Sequence, residues 1–135
     1  MKRLVINTDG GARGNPGPAG IGMVIADETG KVLEKFGRYI GDNSTNNQAE
    51  YEAVIAALES AKKLGGTELV FRMDSELAVR QLNHIYKVKN ADLQGLFLKV
   101  KNLQTQFARV TFTHIPRSEN SAADALVNEA IDKKR

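Results

Sequence analysis

The chain has 135 residues, no cysteine and a formal net charge of +3. Such a length folds as one domain, 1–135, that buries roughly two-thirds of the surface its unfolded form exposes. Without cysteine, disulfides, zinc-thiolate sites and cysteine nucleophiles are excluded, in keeping with a reducing compartment.

The opening MKRLVINTD turns polar after three apolar residues, too few for a secretory core. No apolar run approaches the ~18 residues of a membrane helix. The expectation is a cytoplasmic protein, monomeric by default at this size. Residues 2–9 are rich in β-branched and aliphatic types and read as a strand, and GGARGNPGPAG then breaks regular structure. Residues 20–26 and 31–40 give two more strands around a turn at Asp27–Gly30, forming an antiparallel meander. A helix over 46–64 opens on a Thr45/Gln48 capping box and stops at Gly65-Gly66. A strand at 67–73, helices at 75–84 and 92–106, a strand at 109–114 and a helix at 120–132 complete the order βββαβααβα. Strands separated by helices pair in parallel, so strands four and five run beside strand one. No internal repeat or linker interrupts the chain.

Glu50 stands out in the first long helix. Ala53, Val54, Ala57, Leu58, Ala61 and Leu64 recur at helical spacing. The stripe they define, carried back one turn, passes through Glu50, and a buried unpaired carboxylate costs several kcal/mol, ~5 by the usual reckoning. Gln48 already fills the capping box, so capping does not explain it. Asp9 and Asp74 close strands one and four, at the carboxyl edge where ligands gather in such sheets. Neighbouring strands lie about 4.8 Å apart, which puts both carboxylates within reach of one cation. Taken singly, Asp9 reads as an Asp-Gly turn, Asp74 or Ser75 as a helix cap, and Asp124 as part of a Ser121-x-x-Asp124 box. Independent caps have no reason to converge on one sheet edge, and gathered carboxylates repel unless a divalent ion neutralises them. Hard oxygen ligands alone favour magnesium, with manganese as a substitute, over zinc or copper. The loop Gly20-Ile21-Gly22 completes no dinucleotide fingerprint, and no phosphate-loop lysine motif exists. The small residues beside Asp9 would instead leave backbone amides free for phosphate or sugar oxygens.

Four stretches together resemble one family. TDGGARGNPGPAG at 8–20, TNNQAEYEAVIAAL at 45–58, MDSELAVRQL at 73–82 and ENSAADALVNEA at 119–130 are similar, in order and spacing, to the signature blocks of type 1 ribonuclease H. The resemblance implies an α/β fold with a mixed five-stranded sheet in order 3-2-1-4-5, helices on both faces, and hydrolysis of the RNA strand of RNA–DNA hybrids. It makes Asp9, Glu50, Asp74 and Asp124 the metal-binding acids for two Mg2+ ions, and it implies 5′-phosphate and 3′-hydroxyl products. By the same match Gly10, Gly11, Asn15, Thr45, Asn46, Asn47 and Ser75 face the substrate. Asn15, Asn46 and Gly11 would read the minor groove, where only RNA offers a 2′-hydroxyl, and Thr45 with Asn15 resembles a DNA-phosphate pocket.

Two departures from the family pattern matter. The segment HIYKVKNADL at 84–93 holds two lysines and no tryptophan where many bacterial members carry a basic, tryptophan-containing handle. Loss of that handle implies weaker, salt-sensitive hybrid binding. His114 has the family spacing to Asp124 for a proton-transfer or product-release role, yet it ends a strand, and Arg117 in the following PRSEN loop is its rival. His84 has no partner evident in the sequence and reads as a surface residue. Two other readings compete: a non-catalytic nucleic-acid-binding module of the same fold, which would gain nothing from concentrated negative charge, and a two-carboxylate glycosidase, for which no tryptophan and three tyrosines offer few stacking platforms.

Overall fold

The computed structural model describes residues 2–135. Five strands, β1 (Arg3–Ala12), β2 (Gly17–Asp27), β3 (Val32–Ser44), β4 (Glu68–Met73) and β5 (Arg109–His114), form one sheet in the order β3-β2-β1-β4-β5. The first three are antiparallel neighbours, and β4 and β5 add to β1 in parallel. Helices α1 (Asn46–Lys63), α2 (Glu76–Leu82) and α3 (Ala91–Gln104) cluster together, while α4 (Ser121–Lys133) packs on β1, β2 and β3. Faces are set by parity along β1: a side chain added at Gly10 would meet α1, and one added at Gly11 would meet Val127 of α4.

The predicted order of elements and of strands holds, but the strands overrun their expected ends. β1 continues through Gly10, Gly11 and Ala12, which pair with Ile21, Gly20 and Ala19 of β2. The break read in GGARGNPGPAG therefore shrinks to the turn Arg13–Pro16, and β3 runs on to Ser44. Several of these glycines serve close packing between helix and sheet rather than a turn. A Cβ on Gly10 would lie 2.3 Å from the carbonyl of Ala49, and one on Gly22 would lie 2.4 Å from that of Ala123. Only glycine admits a helix backbone so close to a strand.

The core between sheet and helices is mainly aliphatic, with Leu4, Ile6, Ile21, Ile25, Leu58 and Leu69 fully buried beside the aromatic Phe71. α1 begins with the expected capping box: Thr45 Oγ1 accepts from the Gln48 amide at 3.1 Å and Gln48 Oε1 accepts from the Thr45 amide at 2.9 Å. α2 is shorter than predicted and is capped by Ser75, whose Oγ accepts from the Ala78 amide. Asp74 is thereby released from capping. At α4 the expected Ser-x-x-Asp box does not form, because Asn120 occupies the cap position and Ser121 is already helical. His84, at φ 62°, is exposed as expected but does have a partner, the ring of Phe97 edge-on at 5.8 Å.

Candidate active site

The parallel ladder of β1 and β4 ends at the pair Thr8–Met73. Asp9 follows Thr8 within β1 and Asp74 directly follows the end of β4, so the topology itself sets them side by side. Glu50 arrives from α1, and Gly10, having no side chain on that face, lets the first turn of the helix settle against β1. The Gly10 amide donates to Asp9 Oδ1 at 3.0 Å and to Glu50 Oε1 at 3.2 Å. Each of Asp9, Glu50 and Asp74 offers a carboxylate oxygen within 4.8 Å of the others. Asp124, on the first turn of α4, stands outside this triad but beside Asp9, and its side chain accepts from Asn128 Nδ2 at 3.4 Å.

Three acids in contact, two of them buried, are electrostatically unfavourable by themselves. Burial above all pushes the Asp9 carboxyl up to about 7; a hydrogen bond with Glu50 opposes the rise, and the charge of Asp74 and the proximity of Asp124 add to it. Burial likewise holds Glu50 well above the ordinary carboxylate range, followed by repulsion from Asp9. Glu50 Oε2 is shut away from solvent without a hydrogen-bond partner. A buried carboxylate with an orphaned oxygen, clustered with two more acids, is what a divalent cation relieves, and an all-oxygen donor set suits a hard ion. The residues therefore fit a divalent metal centre.

Asn120 is the residue that sequence reasoning missed. It is 1% exposed, its Nδ2 donates to Thr8 O at 2.9 Å and to Asp74 Oδ2 at 3.3 Å, and its Oδ1 accepts from Asn7 Nδ2 at 3.1 Å. One amide thus ties β1, Asp74 and the start of α4 together. The signal available was an asparagine directly before the Ser-x-x-Asp box, which the Ser121 cap reading masked.

The acids floor a cleft of about 390 Å³ whose wall includes Gly10, Gly11, Asn46, Asn47, Ser75 and Arg117. The structure thus brings Arg117 to the cleft, whereas His114 is exposed at the end of β5, paired in register with Met73, and does not line it. The expectation of free amides beside Asp9 is corrected. The Gly10 amide serves the acids, the Ala12 amide donates to Asn46 Oδ1 at 2.7 Å, and the Arg13 amide donates to Pro18 O. Asn15 does not stand free either, since its Oδ1 accepts from the Asn46 amide at 3.0 Å. Together these bonds clip the β1–β2 turn to the start of α1, beside Thr45. Arg13 is held against α4 through Asp132 and the Asn128 carbonyl.

A mixed sheet with acids converging at the carboxyl edge of its parallel strands, on the floor of a cleft, defines a class of α/β folds suited to holding a divalent cation there. Comparison with known proteins narrows the class. A family model described as "Reverse transcriptase-like" matches residues 7–130. The "Bifunctional protein Rv2228c" of Mycobacterium tuberculosis is 46% identical, over 96% of this chain and 36% of its own length. "Ribonuclease HI" of Halobacterium salinarum is 44% identical, over 92% of this chain and 62% of its own. Among solved structures, LC11-RNase H1 in complex with RNA/DNA hybrid superposes with a TM-score of 0.92 at 51% identity, covering 97% of this chain and 98% of that one. The chain belongs to the type 1 ribonuclease H family. It spans about a third of the length of the mycobacterial relative that it matches.

Proposed function

We propose that this chain hydrolyses the RNA strand of RNA–DNA hybrids, leaving 5′-phosphate and 3′-hydroxyl ends, with two Mg2+ ions bound and Mn2+ as a substitute. The observation that carries the reading is the buried Glu50, which has one carboxylate oxygen without a partner and lies in a cluster with Asp9 and Asp74 whose carboxylate oxygens come within 4.8 Å of one another. The LC11 relative, solved with an RNA/DNA hybrid, supports the substrate class.

In this reading Asp9, Glu50, Asp74 and Asp124 hold the ions. When bound, two such ions supply an activated water on one side of the scissile phosphate and charge neutralisation at the leaving oxygen on the other. The chain's own residues do the rest. The Gly10 amide holds Asp9 and Glu50 in a fixed relation, and Asn120 holds Asp74. Preorganised ligands of this kind need little rearrangement when substrate enters. Arg117 at the cleft wall contributes a cation toward phosphate, a role for which His114 is worse placed. Asn46, Asn47, Gly11 and Ser75 line the path of the hybrid, and the Asn15–Asn46 clip beside Thr45 shapes the expected phosphate pocket. No helix among the described residues is long and apolar enough to cross a membrane, and the reading places a monomeric enzyme in the cytoplasm.

The test is cleavage of a hybrid whose RNA strand carries a 5′ label, with Mg2+ supplied, for the natural chain and for Asp9→Asn. The reading predicts ladder-like cutting of RNA alone by the natural chain and a rate about 10³-fold lower or worse for the variant. A chain that binds hybrid and cuts neither strand would be the non-catalytic module instead.

A further inference from the structure

Asp124 is the odd member of the acid set. Asp9, Glu50 and Asp74 are held by hydrogen bonds from Gly10 and Asn120, whereas Asp124 stands on the first turn of α4, outside their cluster. Among the described residues one N–H donor reaches its carboxylate. That donor is the Asn128 side chain, whose Nδ2 lies 3.4 Å from Asp124 Oδ2 and also donates to Asp124 O at 3.1 Å.

Asp124, Asn128 and Asp132 recur at every fourth residue, so they share one face of α4. Arg13 reaches that face from the turn between β1 and β2. Its guanidinium pairs with Asp132 Oδ1 and donates to Asn128 O at 3.3 Å and to Asn128 Oδ1 at 3.4 Å. Both Arg13 and Asn128 belong to the wall of the acidic cleft. The turn that carries Arg13 is also the one clipped to the start of α1 through Asn15, Ala12 and Asn46.

This arrangement decides which way the amide faces. A guanidinium only donates and an ionised carboxylate only accepts, so an amide set between them has one favourable sense, oxygen toward Arg13 and nitrogen toward Asp124. Few side chains serve both neighbours. An aspartate at 128 would place a like charge one turn from Asp124, and a leucine would donate nothing. Helix stability does not explain the asparagine, because alanine is much the better residue for the exposed middle of a helix. Both amide contacts are long and stand at the surface, so what they supply is orientation, as outer partners of metal ligands do. We infer that Asn128 is a positioning residue for Asp124, with the sense of its amide set by Arg13. This rests on the reading of Asp124 as a metal ligand.

The test is a double-mutant cycle of Asn128→Ala and Arg13→Ala, read by calorimetric titration of the metal-free proteins with Mn2+ and by hybrid cleavage across Mg2+ concentrations. Asn128→Ala should weaken Mn2+ binding about 10-fold and raise the Mg2+ needed for half-maximal cleavage by a similar factor. Its melting temperature should hold or rise, since alanine is the better helix former. A residue kept only for stability would show the reverse. KM for the hybrid at saturating Mg2+ should stay within about 2-fold of the natural value. Arg13→Ala should weaken Mn2+ binding by less, and should add no further loss once Asn128 is alanine, because it acts through that amide. Unchanged Mn2+ affinity in Asn128→Ala overturns the inference, as does a loss of affinity accompanied by a lower melting temperature. So do additive losses from the two substitutions, or a raised KM with an unchanged Mg2+ requirement, which would make these side chains substrate contacts. A natural chain that binds Mn2+ but leaves the hybrid uncut would defeat the functional reading, while the calorimetric cycle would still decide this one.

Discussion

The two ends of α2 differ in what they leave unsatisfied. At its start the chain gathers carboxylates, two of them buried, and leaves one of their oxygens without a donor. At its end it leaves aliphatic side chains in solvent and lysines without acids. A fold selected for stability alone would not gather the acids, because that arrangement is unfavourable until a cation binds, whereas exposed aliphatic side chains and solvated lysines are ordinary at a surface. The difference lies in the remedy: the first end calls for a small, hard, divalent cation, whereas the second stands in water and calls for none. The first is also held far more tightly. Asp9, Glu50 and Asp74 are fixed by Gly10 and Asn120 across β1, α1 and α4, while residues 84–88 lie outside any regular element.

The sharpest way to break this contrast is Asp9→Asn. Removing the most hemmed-in charge should abolish metal-supported cleavage, at least ~10³-fold. The same change should make the chelator-treated protein more stable, with a melting temperature higher by on the order of 5 °C in calorimetry. A variant that lost both activity and stability would show that the cluster is not electrostatically strained. Asn120→Ala comes next. It strips a donor from Asp74 and strands buried partners, so activity should fall ~10- to 100-fold and stability by about 2 kcal/mol in denaturant melts. Arg117→Ala should lower kcat or raise KM about 10-fold through loss of a charge-assisted phosphate contact. His114→Ala should change steady-state rates by less than that.

The pH dependence of the metal-free protein sharpens the comparison further. An Asp carboxyl ionises near ~3.9 in the unfolded chain and at about 7 in the folded one. Between those values the folded state binds more protons than the unfolded state, so stability falls as pH rises through that window, and the raised Glu50 carboxyl adds a loss of the same sign. Melting curves in chelator should show this slope, and Asp9→Asn should lessen it, leaving the part that buried Glu50 carries. Saturating Mg2+ should remove it as well, since the cation replaces the proton. The smallest effect belongs to the other end of α2: Leu98→Ser should shift stability by no more than ~0.5 kcal/mol, because its side chain is already in water.

Much of this was legible because periodicity and charge disagreed at a few positions. Glu50 announced itself as an acid on an apolar stripe, and the structure buries it there. Asp9 and Asp74 could be paired because strands joined through helices run parallel, and their ladder does end one residue before both. What stayed hidden depended on contacts distant in sequence. Gly10, Gly11 and Ala12 looked like a break because glycine usually marks one, but Gly10 is required by a helix forty residues away and Gly11 pairs within the sheet. Asn120 was eclipsed by Ser121, since cap preference is local and the amide's partners, Thr8 and Asp74, lie in other elements. His84 lacked a partner in sequence because Phe97 reaches it only through the packing of α3.

The most direct measurement is anomalous diffraction from a crystal of this chain soaked in Mn2+. The account predicts metal peaks within coordination distance of Asp9, Glu50 and Asp74, with Asp124 bordering the site. Density confined to other surfaces, with Glu50 Oε2 still unpartnered at saturating Mn2+, would contradict it.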